Sequence, residues 1–246
     1  MSELSANLLD KDLIYLYDLE NPWGQSDEFY LSWALAKGGA VLDMSCGTGR
    51  LARAMAKKGL TVSAVVPDDG AFDVVQDEQA DVDWQEADCR CLALGKKFDS
   101  VFLAEHTFQA FTTNVDQLLV LEAMSEHLSP GGQFALETRN PRSRIWERWQ
   151  SGRSRIKIEL PSGKDVVHTR RASVPDGNGV IDLTHNYRFD GGIEKMRRRR
   201  LRFLDQPTLA LMLDVVGLKA ERWYGDWRGS SYTPDSAEII VVGSKS

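Results

Sequence analysis

The sequence predicts an α/β fold, with a mostly parallel central sheet that is flanked by helices and carries an antiparallel β insertion. Short apolar runs alternate with helical patterns along most of the chain, and strand–helix–strand units of this kind form parallel sheets. Between about residues 151 and 203 the pattern changes to strands joined by hairpin signals. We therefore expect a single domain over residues 1–246, with residues 151–203 as a β-rich lid within it.

The elements of the parallel sheet are expected in a regular order. The helical pattern "DEFYLSWALAK" (27–37) stops at two glycines, and the apolar run "AVLDM" (40–44) that follows is typical of a buried strand. An amphipathic helix (49–59) and a β-branched strand (60–66) come next. The later elements are a strand at 98–104, a helix at 114–128, a strand at 133–138, a helix at 206–217 and a strand at 237–245.

The insertion is predicted from alternation with period two. In "VIDLTHNYRF" (180–189) every second residue is apolar or aromatic except His185, and a turn beginning at Asp190 leads to a returning strand. That strand carries "KMRRRRLR" (195–202), in which successive side chains point to opposite faces. The four arginines therefore form no single patch, which favours a solvated strand over a nucleic-acid surface.

Composition excludes several classes of protein. The net charge of −6 over 246 residues argues against a general affinity for nucleic acid. The N-terminus has no signal-peptide core, and no apolar run reaches the roughly 18 residues that a membrane helix needs. The three cysteines, Cys46, Cys89 and Cys91, lack the spacing of a zinc site. We therefore expect no metal, no membrane and a reducing, cytoplasmic location.

The stretch "DMSCGTG" (43–49) leads from the first strand into the following helix. Gly47 and Gly49 lack side chains that would hold a ligand away from the backbone, and nearby amides can donate hydrogen bonds to it. Together with Ala52, the same glycines also fit the nicotinamide-dinucleotide fingerprint. A tight turn that binds nothing is the other interpretation. The loop alone therefore does not decide its ligand.

Five stretches, in this order, resemble the motifs of the class I S-adenosylmethionine-dependent methyltransferases. They are "VLDMSCGTGR" (41–50), "EADCRCL" (86–92), "KFDSVFLAEHTFQAF" (97–111), "LSPGGQFALET" (128–138) and "RFLDQPTLALMLDVVGLKAERWYGD" (202–226). Together they span nearly the whole chain. The segment "TFQAF" (107–111) and the tail at 224–245 are similar to those of small-molecule N- and O-methyltransferases that carry a β-stranded insertion over the active site.

This resemblance implies a Rossmann-like methyltransferase fold that binds S-adenosylmethionine and methylates a small-molecule acceptor. It places Asp43 near the amino-acid end of the cofactor, with Gly47 and Gly49 flanking the loop beneath it. Asp88 falls where an acidic residue of the family accepts a hydrogen bond from the adenine amine, and the backbone of Cys89 falls beside it. The family pattern thus assigns residues to both the amino-acid end and the adenine end of the cofactor.

Further positions follow from the same resemblance, and two of them depart from the family. Tyr17 falls where an aromatic often closes over the cofactor, and residues 104–106 (Ala104 to His106) would line the floor near the transferred methyl. Ser45 replaces the first glycine of the usual loop. Val66 replaces the acidic residue that accepts hydrogen bonds from the ribose hydroxyls, and Asp68 just beyond it is the candidate to take over that contact.

His106 is the candidate general base, because imidazole titrates near neutral pH and a protonated amine or a hydroxyl acceptor must lose a proton. Packing within its loop is the alternative. Glu105 and Glu137 are candidates for binding an amine, with turn capping as the other role for Glu105. His185 would either project into the pocket or be a satisfied core histidine.

Three functions remain open from the sequence. The first is methyl transfer from S-adenosylmethionine to a small acceptor. The second is a non-catalytic methyltransferase-like binding protein, which Val66 favours and the retained Asp43 and Asp88 oppose. The third is an RNA methyltransferase, supported by the arginine run and opposed by the net charge; a nicotinamide oxidoreductase fits the later motifs poorly. Neither the acceptor nor the oligomeric state is encoded in a recognisable pattern.

Overall fold

The computed structural model describes residues 11–67, 80–150, 155–160, 165–190 and 192–245. Asp68, the candidate for the ribose contact, lies outside these ranges. The described chain forms a seven-stranded central sheet and a separate four-stranded sheet, which confirms the predicted α/β class with an antiparallel insertion. None of the helices in these ranges is both long and apolar enough to cross a membrane.

The strands follow the predicted order along the chain. In the described ranges they are β1 (Ala40–Asp43), β2 (Thr61–Val66), β3 (Val82–Glu86), β4 (Phe98–Leu103), β5 (Leu128–Arg139), β6 (Arg155–Glu159), β7 (Asp165–Ala172), β8 (Val180–Phe189), β9 (Glu194–Arg202), β10 (Leu218–Tyr224) and β11 (Glu238–Lys245). The central sheet has the order β3-β2-β1-β4-β5-β11-β10. Strands β1 to β5 run parallel, whereas β11 is antiparallel to both of its neighbours. The strand order reverses between β1 and β4, which is where α/β sheets bind ligands.

Helices cover both faces of the central sheet. The described ranges contain the helices α1 (Lys11–Glu20), α2 (Gln25–Lys37), α3 (Arg50–Lys57), α4 (Asn114–His127), α5 (Ile145–Gln150) and α6 (Gln206–Val215). Helices α2 and α3 bury their apolar side chains on one face of the sheet, and α4 and α6 bury theirs on the other. Two begin at capping side chains, since Thr113 accepts from the Asp116 amide and Asp205 from the Thr208 amide.

Strand β5 begins earlier than the sequence pattern predicts. The turn residues at 129–132 were expected to separate α4 from a strand starting at 133, but the strand already starts at Leu128. Leu128 pairs with Phe98 of β4, and a register shift before Ser100 absorbs the irregular stretch. Gly131 adopts a φ of +71°, so the glycine keeps its turn-like conformation inside the strand.

The four remaining strands form the antiparallel insertion sheet, in the order β6-β7-β8-β9. Arg198 lies opposite Thr184 and Arg199 lies opposite Leu183, so neighbouring arginines point to opposite faces as predicted. One face, which we call the inner face, buries Val166, Leu183 and other apolar side chains. The arginine run is therefore divided between the inner face and the outer face.

Helices α1 and α5 cover the two ends of the inner face. Leu16 of α1 packs in a buried cluster with Val166 and Tyr187. Trp146 of α5 packs in a second cluster with Leu183 and Leu201. The inner face is therefore apolar at both ends, and its middle lies between the two helices. Helix α1 belongs to both parts of the molecule, because its Tyr17 reaches back to the end of β4.

Candidate active site

The glycine loop between β1 and α3 lies where the central sheet reverses its strand order. Gly47 and Gly49 have φ angles of +56° and +77°, which lie in the left-handed region that favours glycine. A Cβ on Gly49 would lie 2.5 Å from the indole of Trp84, so no side chain fits there without a shift. A Cβ on Gly47 would lie 3.5 Å from the Glu105 carboxylate and 4.0 Å from the Tyr17 ring. The loop is therefore tight, and Tyr17 lies close above Gly47.

Asp43 ends β1 beneath this loop with a carboxyl group that is 1% exposed. Its Oδ1 accepts a hydrogen bond from the Ser45 amide at 3.1 Å. Burial raises the pKa of Asp43 to about 8, because a charged carboxylate loses hydration there. The Ser45 hydroxyl accepts from Thr107 Oγ at 3.2 Å, so the serine in place of glycine ties the loop to the segment after β4.

The chain bends sharply where β4 ends. Glu105 and His106 have φ angles of 59° and 57°, two successive non-glycine residues in the left-handed region. The Ala104 carbonyl accepts from the Thr107 amide at 3.2 Å, which closes the turn. Such backbone conformations are unfavourable and persist where the surroundings fix them, commonly at functional sites. The bend turns both side chains toward the carboxyl edge of the sheet.

Glu105 is part of a partly buried network of charged groups. Its Oε1 lies 2.7 Å from the Arg50 guanidinium, and Tyr17 donates its hydroxyl to the same carboxylate. Arg50 also binds Asp27 of α2 at 3.1 Å. Burial, and then the charge of Glu105, raise the pKa of Tyr17, so its hydroxyl stays protonated. Glu105 therefore pairs with a cation and does not cap the following turn.

His106 is held by two carboxylates. Its Nε2 lies 2.8 Å from Oε2 of Glu238, which begins β11, and its amide donates to Oε1 of Glu137 at 2.7 Å. The second oxygen of Glu137 accepts the hydroxyl of Tyr30. Arg139 lies directly opposite Glu238 on the adjacent strand. Three carboxylates, from Glu105, Glu137 and Glu238, thus converge on this edge of the sheet.

These groups titrate unusually because they are buried. Burial raises the pKa of Glu137 to about 8, and the negative charges of Glu238 and Glu105 add to the rise. The pKa of His106 is lowered, first by burial and then by the charge of Arg139, while Glu238 opposes the change. His106 is therefore neutral near pH 7. With Glu238 accepting the Nε2 proton, the lone pair of His106 lies on Nδ1.

Asp88 and Cys89, which the family resemblance places beside the adenine, lie in a short turn with contacts of their own. The Asp88 carboxylate accepts from the Arg90 amide and pairs with its guanidinium. Cys89 is buried, and its thiol donates to the Met44 carbonyl at 2.6 Å. Asp88 therefore forms the turn that presents the Cys89 backbone, and its carboxylate already has a cationic partner.

The second strand ends without an acidic residue. Val66 is fully buried, and its carbonyl accepts from the Ala87 amide at 3.0 Å. Glu86 pairs in register with Val66 on β3, and its side chain is exposed. An acidic side chain is thus present at the same level of the sheet, one strand away from the position where the family places it.

The histidines outside this edge have other surroundings. His127 accepts from the Leu94 amide at 3.1 Å, so it is a structural residue at the end of α4. His168 lies 3.0 Å from Glu20 through Nδ1 and 3.1 Å from His185 through Nε2. Ligand atoms of Glu20, His168 and His185 lie within 4.8 Å of one another. Arg170 lies 3.7 Å from Glu20, and the charge of a neighbouring arginine disfavours a bound cation.

Sequence reasoning missed the partners of the predicted residues. Arg50 and Glu238 bind Glu105 and His106, yet each lies 55 or more positions away along the chain. Neither has a local motif, since Arg50 begins an amphipathic helix and Glu238 begins an apolar strand. The antiparallel pairing of β11 with β5 is what places Glu238 at the site, and that pairing is a property of the fold.

Comparisons with known proteins agree with this architecture. A family model described as a methyltransferase domain matches residues 41–132, from β1 into β5. A cypemycin N-terminal methyltransferase from a Streptomyces species is 26% identical over 249 residues, covering 96% of this chain and 97% of the relative. The chain thus aligns with a methyltransferase over nearly its whole length, insertion included.

Solved structures share the fold. An S-adenosylmethionine-dependent methyltransferase from Clostridium acetobutylicum matches with a TM-score of 0.80 at 14% identity, over 95% of this chain and 98% of the other. CalS10, an amino pentose methyltransferase from Micromonospora echinaspora solved with S-adenosylmethionine bound, matches with a TM-score of 0.74 at 19% identity, over 98% and 99%. The chain therefore has the fold of S-adenosylmethionine-dependent methyltransferases, and its residues 41–132 match a methyltransferase domain.

Proposed function

We propose that this methyltransferase transfers the methyl group of S-adenosylmethionine to the amino nitrogen of a small molecule. The observation that carries the proposal is the position of the Glu105 and Glu238 carboxylates beside the neutral His106 at the carboxyl edge of the sheet. Carboxylates attract a protonated amine, and the neutral imidazole can take its proton. The names of two similar proteins, a cypemycin N-terminal methyltransferase and an amino pentose methyltransferase, support an amine acceptor.

The residues of the glycine loop fit the cofactor. Gly47 and Gly49 leave the backbone accessible to a ligand. The buried Asp43 carboxyl accepts a hydrogen bond from the Ser45 amide and would form a polar floor beneath the cofactor. Tyr17 lies over Gly47 and would cover the amino-acid part of the cofactor, while the Cys89 backbone and Asp88 would take the adenine. The cofactor supplies an electrophilic methyl group on a sulfonium.

His106 would act on the acceptor through Nδ1. Glu238 holds the ring by accepting from Nε2, which keeps the lone pair of Nδ1 free for a proton. Ala104 and Glu105 would line the floor on which the amine lies, and the left-handed bend fixes both positions. Once deprotonated, an amine has the free lone pair that an in-line displacement requires.

The insertion sheet would serve as the lid in a single domain over residues 1–246. Its inner face shares α1 with the glycine loop, so the acceptor would lie between that face and the edge of the central sheet. The free thiols of Cys46, Cys89 and Cys91 fit a reducing, cytoplasmic location. Asp68 and Glu86 are the two candidates for the ribose contact that Val66 does not make.

The test begins with calorimetric titration of the purified protein with S-adenosylmethionine and S-adenosylhomocysteine. We expect binding in the micromolar range, followed by transfer of a radioactive methyl group to a panel of small primary amines. The same panel with hydroxyl in place of amine serves as the matched control. Binding followed by methylation of the hydroxyl series alone would contradict the proposed acceptor, and absence of cofactor binding would contradict the site.

A further inference from the structure

Arg139, the last residue of β5, connects the carboxyl edge of the central sheet with the insertion. On the side of the edge it lies directly opposite Glu238, whose Oε2 is 2.8 Å from Nε2 of His106. Directly opposite residues of two antiparallel strands have their Cβ atoms about 4.5–5.5 Å apart on one face of the sheet. Arg139 and the carboxylate that holds His106 are therefore neighbours of opposite charge.

Two further contacts hold the guanidinium of Arg139. Its Nη1 donates to Oε1 of Gln109 at 2.9 Å, and its central carbon lies 5.5 Å from the centroid of the Trp149 ring. Gln109 is fully buried, and its own amide donates to the Arg202 carbonyl at the end of β9 at 3.2 Å. Trp149 belongs to α5, which packs on the inner face of the insertion sheet. Both contacts of the guanidinium therefore lead to the insertion.

The charge of Arg139 acts on His106 in the direction opposite to that of Glu238. Burial and then the charge of Arg139 lower the pKa of His106, whereas the Glu238 carboxylate raises it. A guanidinium stays charged at any pH at which the protein is folded, so its effect on the imidazole is constant. The ionisable groups whose charges act on Arg139 itself come from four elements and are Glu238, Glu137, Arg170 and Tyr17.

We propose that Arg139 is a positioning residue for methyl transfer, which the insertion holds beside Glu238 so that His106 remains a neutral base. This inference rests on the proposed role of His106 in N-methylation. The guanidinium offsets the charge of Glu238, so that Glu238 accepts the Nε2 proton without drawing a second proton onto Nδ1. Through Gln109 and Trp149, the insertion thus determines whether the base carries a proton before the acceptor arrives.

The direct test is a histidine NMR titration of the full-length protein, which needs no acceptor. The chain has four histidines, and His106→Asn identifies the signal of His106 by its loss. We expect Arg139→Met to raise the pKa of His106 by about one unit, because a positive charge is removed while Glu238 remains. Arg139→Lys keeps the charge and should leave this pKa close to that of the wild type. Arg142→Met, at an exposed arginine three residues along, is the control.

Helix α5 offers a matched pair of variants that tests the link to the insertion and keeps Arg139 in place. Trp149 and Trp146 are 8% and 7% exposed and belong to one apolar cluster, but Trp146 packs edge-on against Phe203 at 4.7 Å between ring centroids. We expect Trp149→Leu to raise the pKa of His106, because water then screens the released guanidinium, and Trp146→Leu to leave it unchanged. Equal shifts in the two tryptophan variants, or no shift in folded Arg139→Met, would overturn the inference.

Kinetics separates this inference from the function on which it rests. With the acceptor found in the amine panel, the acidic limb of the log kcat/KM–pH profile should move to higher pH in Arg139→Met by the same amount as the pKa of His106. The plateau should stay near that of the wild type, which a general loss of structure would not produce. An unmoved limb in an active Arg139→Met would contradict the inference but not N-methylation. A raised pKa of His106 without methylation of any amine would support the position of Arg139 and contradict N-methylation alone.

Discussion

The carboxyl edge of the central sheet and the inner face of the insertion sheet carry opposite charges and differ in how those charges are neutralised. At the edge, Glu105 binds Arg50 and Tyr17, and Glu238 binds His106. On the inner face, Glu20 of α1 lies 3.0 Å from His168 and 3.7 Å from Arg170. At the edge Glu105 and Glu238 thus have separate partners, whereas on the inner face one carboxylate contacts both a histidine and an arginine. This difference favours chemistry at the edge and recognition at the inner face.

The largest effect on steady-state kinetics is expected from replacing the histidine of each region by asparagine, one at a time. His106→Asn removes the proton acceptor beside the bend, and we expect kcat to fall by about 10²–10⁴-fold. His185→Asn removes one ring of the stacked histidine pair on the inner face, and we expect KM for the acceptor to rise with kcat nearly unchanged. Steady-state kinetics with the acceptor found in the amine panel measures both.

Cofactor affinity is the control measurement for the two histidine variants. Both variants should bind S-adenosylhomocysteine within about twofold of the wild type, because neither histidine lies in the glycine loop. The log kcat–pH profile of the wild type should lose its acidic limb in His106→Asn alone. Equal losses of kcat in the two histidine variants would show that the division between chemistry and recognition is wrong.

The glycine loop should respond next most strongly. Gly49→Ala would force a Cβ to 2.5 Å from Trp84 in a left-handed conformation, so we expect cofactor affinity to fall about 100-fold. Gly59→Ala is the matched control, since its φ of +88° carries the same backbone penalty in open space. Calorimetry with S-adenosylhomocysteine separates them, and equal losses of affinity would mean that the Trp84 contact is unimportant.

The two regions should also give opposite dependences of stability on pH. Glu137 is buried with its pKa raised from 4.5 to about 8, so the folded state binds more protons and stability falls as pH rises through that window. His168 is buried with its pKa lowered from 6.5 to about 4, so the unfolded state binds more protons and stability rises with pH up to about 6.5.

Substitution should therefore change the two slopes with opposite sign. Between about pH 5 and 6.5, Glu137→Gln should make the slope of unfolding free energy more positive by up to about 1.4 kcal/mol per pH unit, and His168→Asn should make it more negative. Urea unfolding at a series of pH values measures the slope. Glu122→Gln, on the exposed side of α4, should leave it unchanged. A slope that moves the same way in both variants would contradict the burial argument.

Sequence reasoning located the fold and the backbone of the site because both depend on local patterns. Alternating strands and helices, the glycine loop and the divided arginine run all appear where they were predicted. The ion pairs were missed because they join residues that are far apart in the chain, such as His106 with Glu238 and Tyr17 with Glu105. The early start of β5 was missed because Leu128 pairs with Phe98 ahead of the turn residues, which a shift in register then absorbs.

The smallest expected effect concerns the ribose contact, which belongs to neither charged region. Glu86 lies beside Val66 at the end of the adjacent strand, and we expect Glu86→Gln to weaken S-adenosylhomocysteine binding about threefold to tenfold, since a neutral amide accepts weaker hydrogen bonds than a carboxylate. Glu159→Gln on the insertion sheet, another exposed strand-end glutamate, is the control and should bind normally. Full affinity in Glu86→Gln with a loss in Asp68→Ala would assign the ribose to Asp68. Because the sheet keeps an acidic side chain one strand away, the valine by itself does not predict a protein without cofactor.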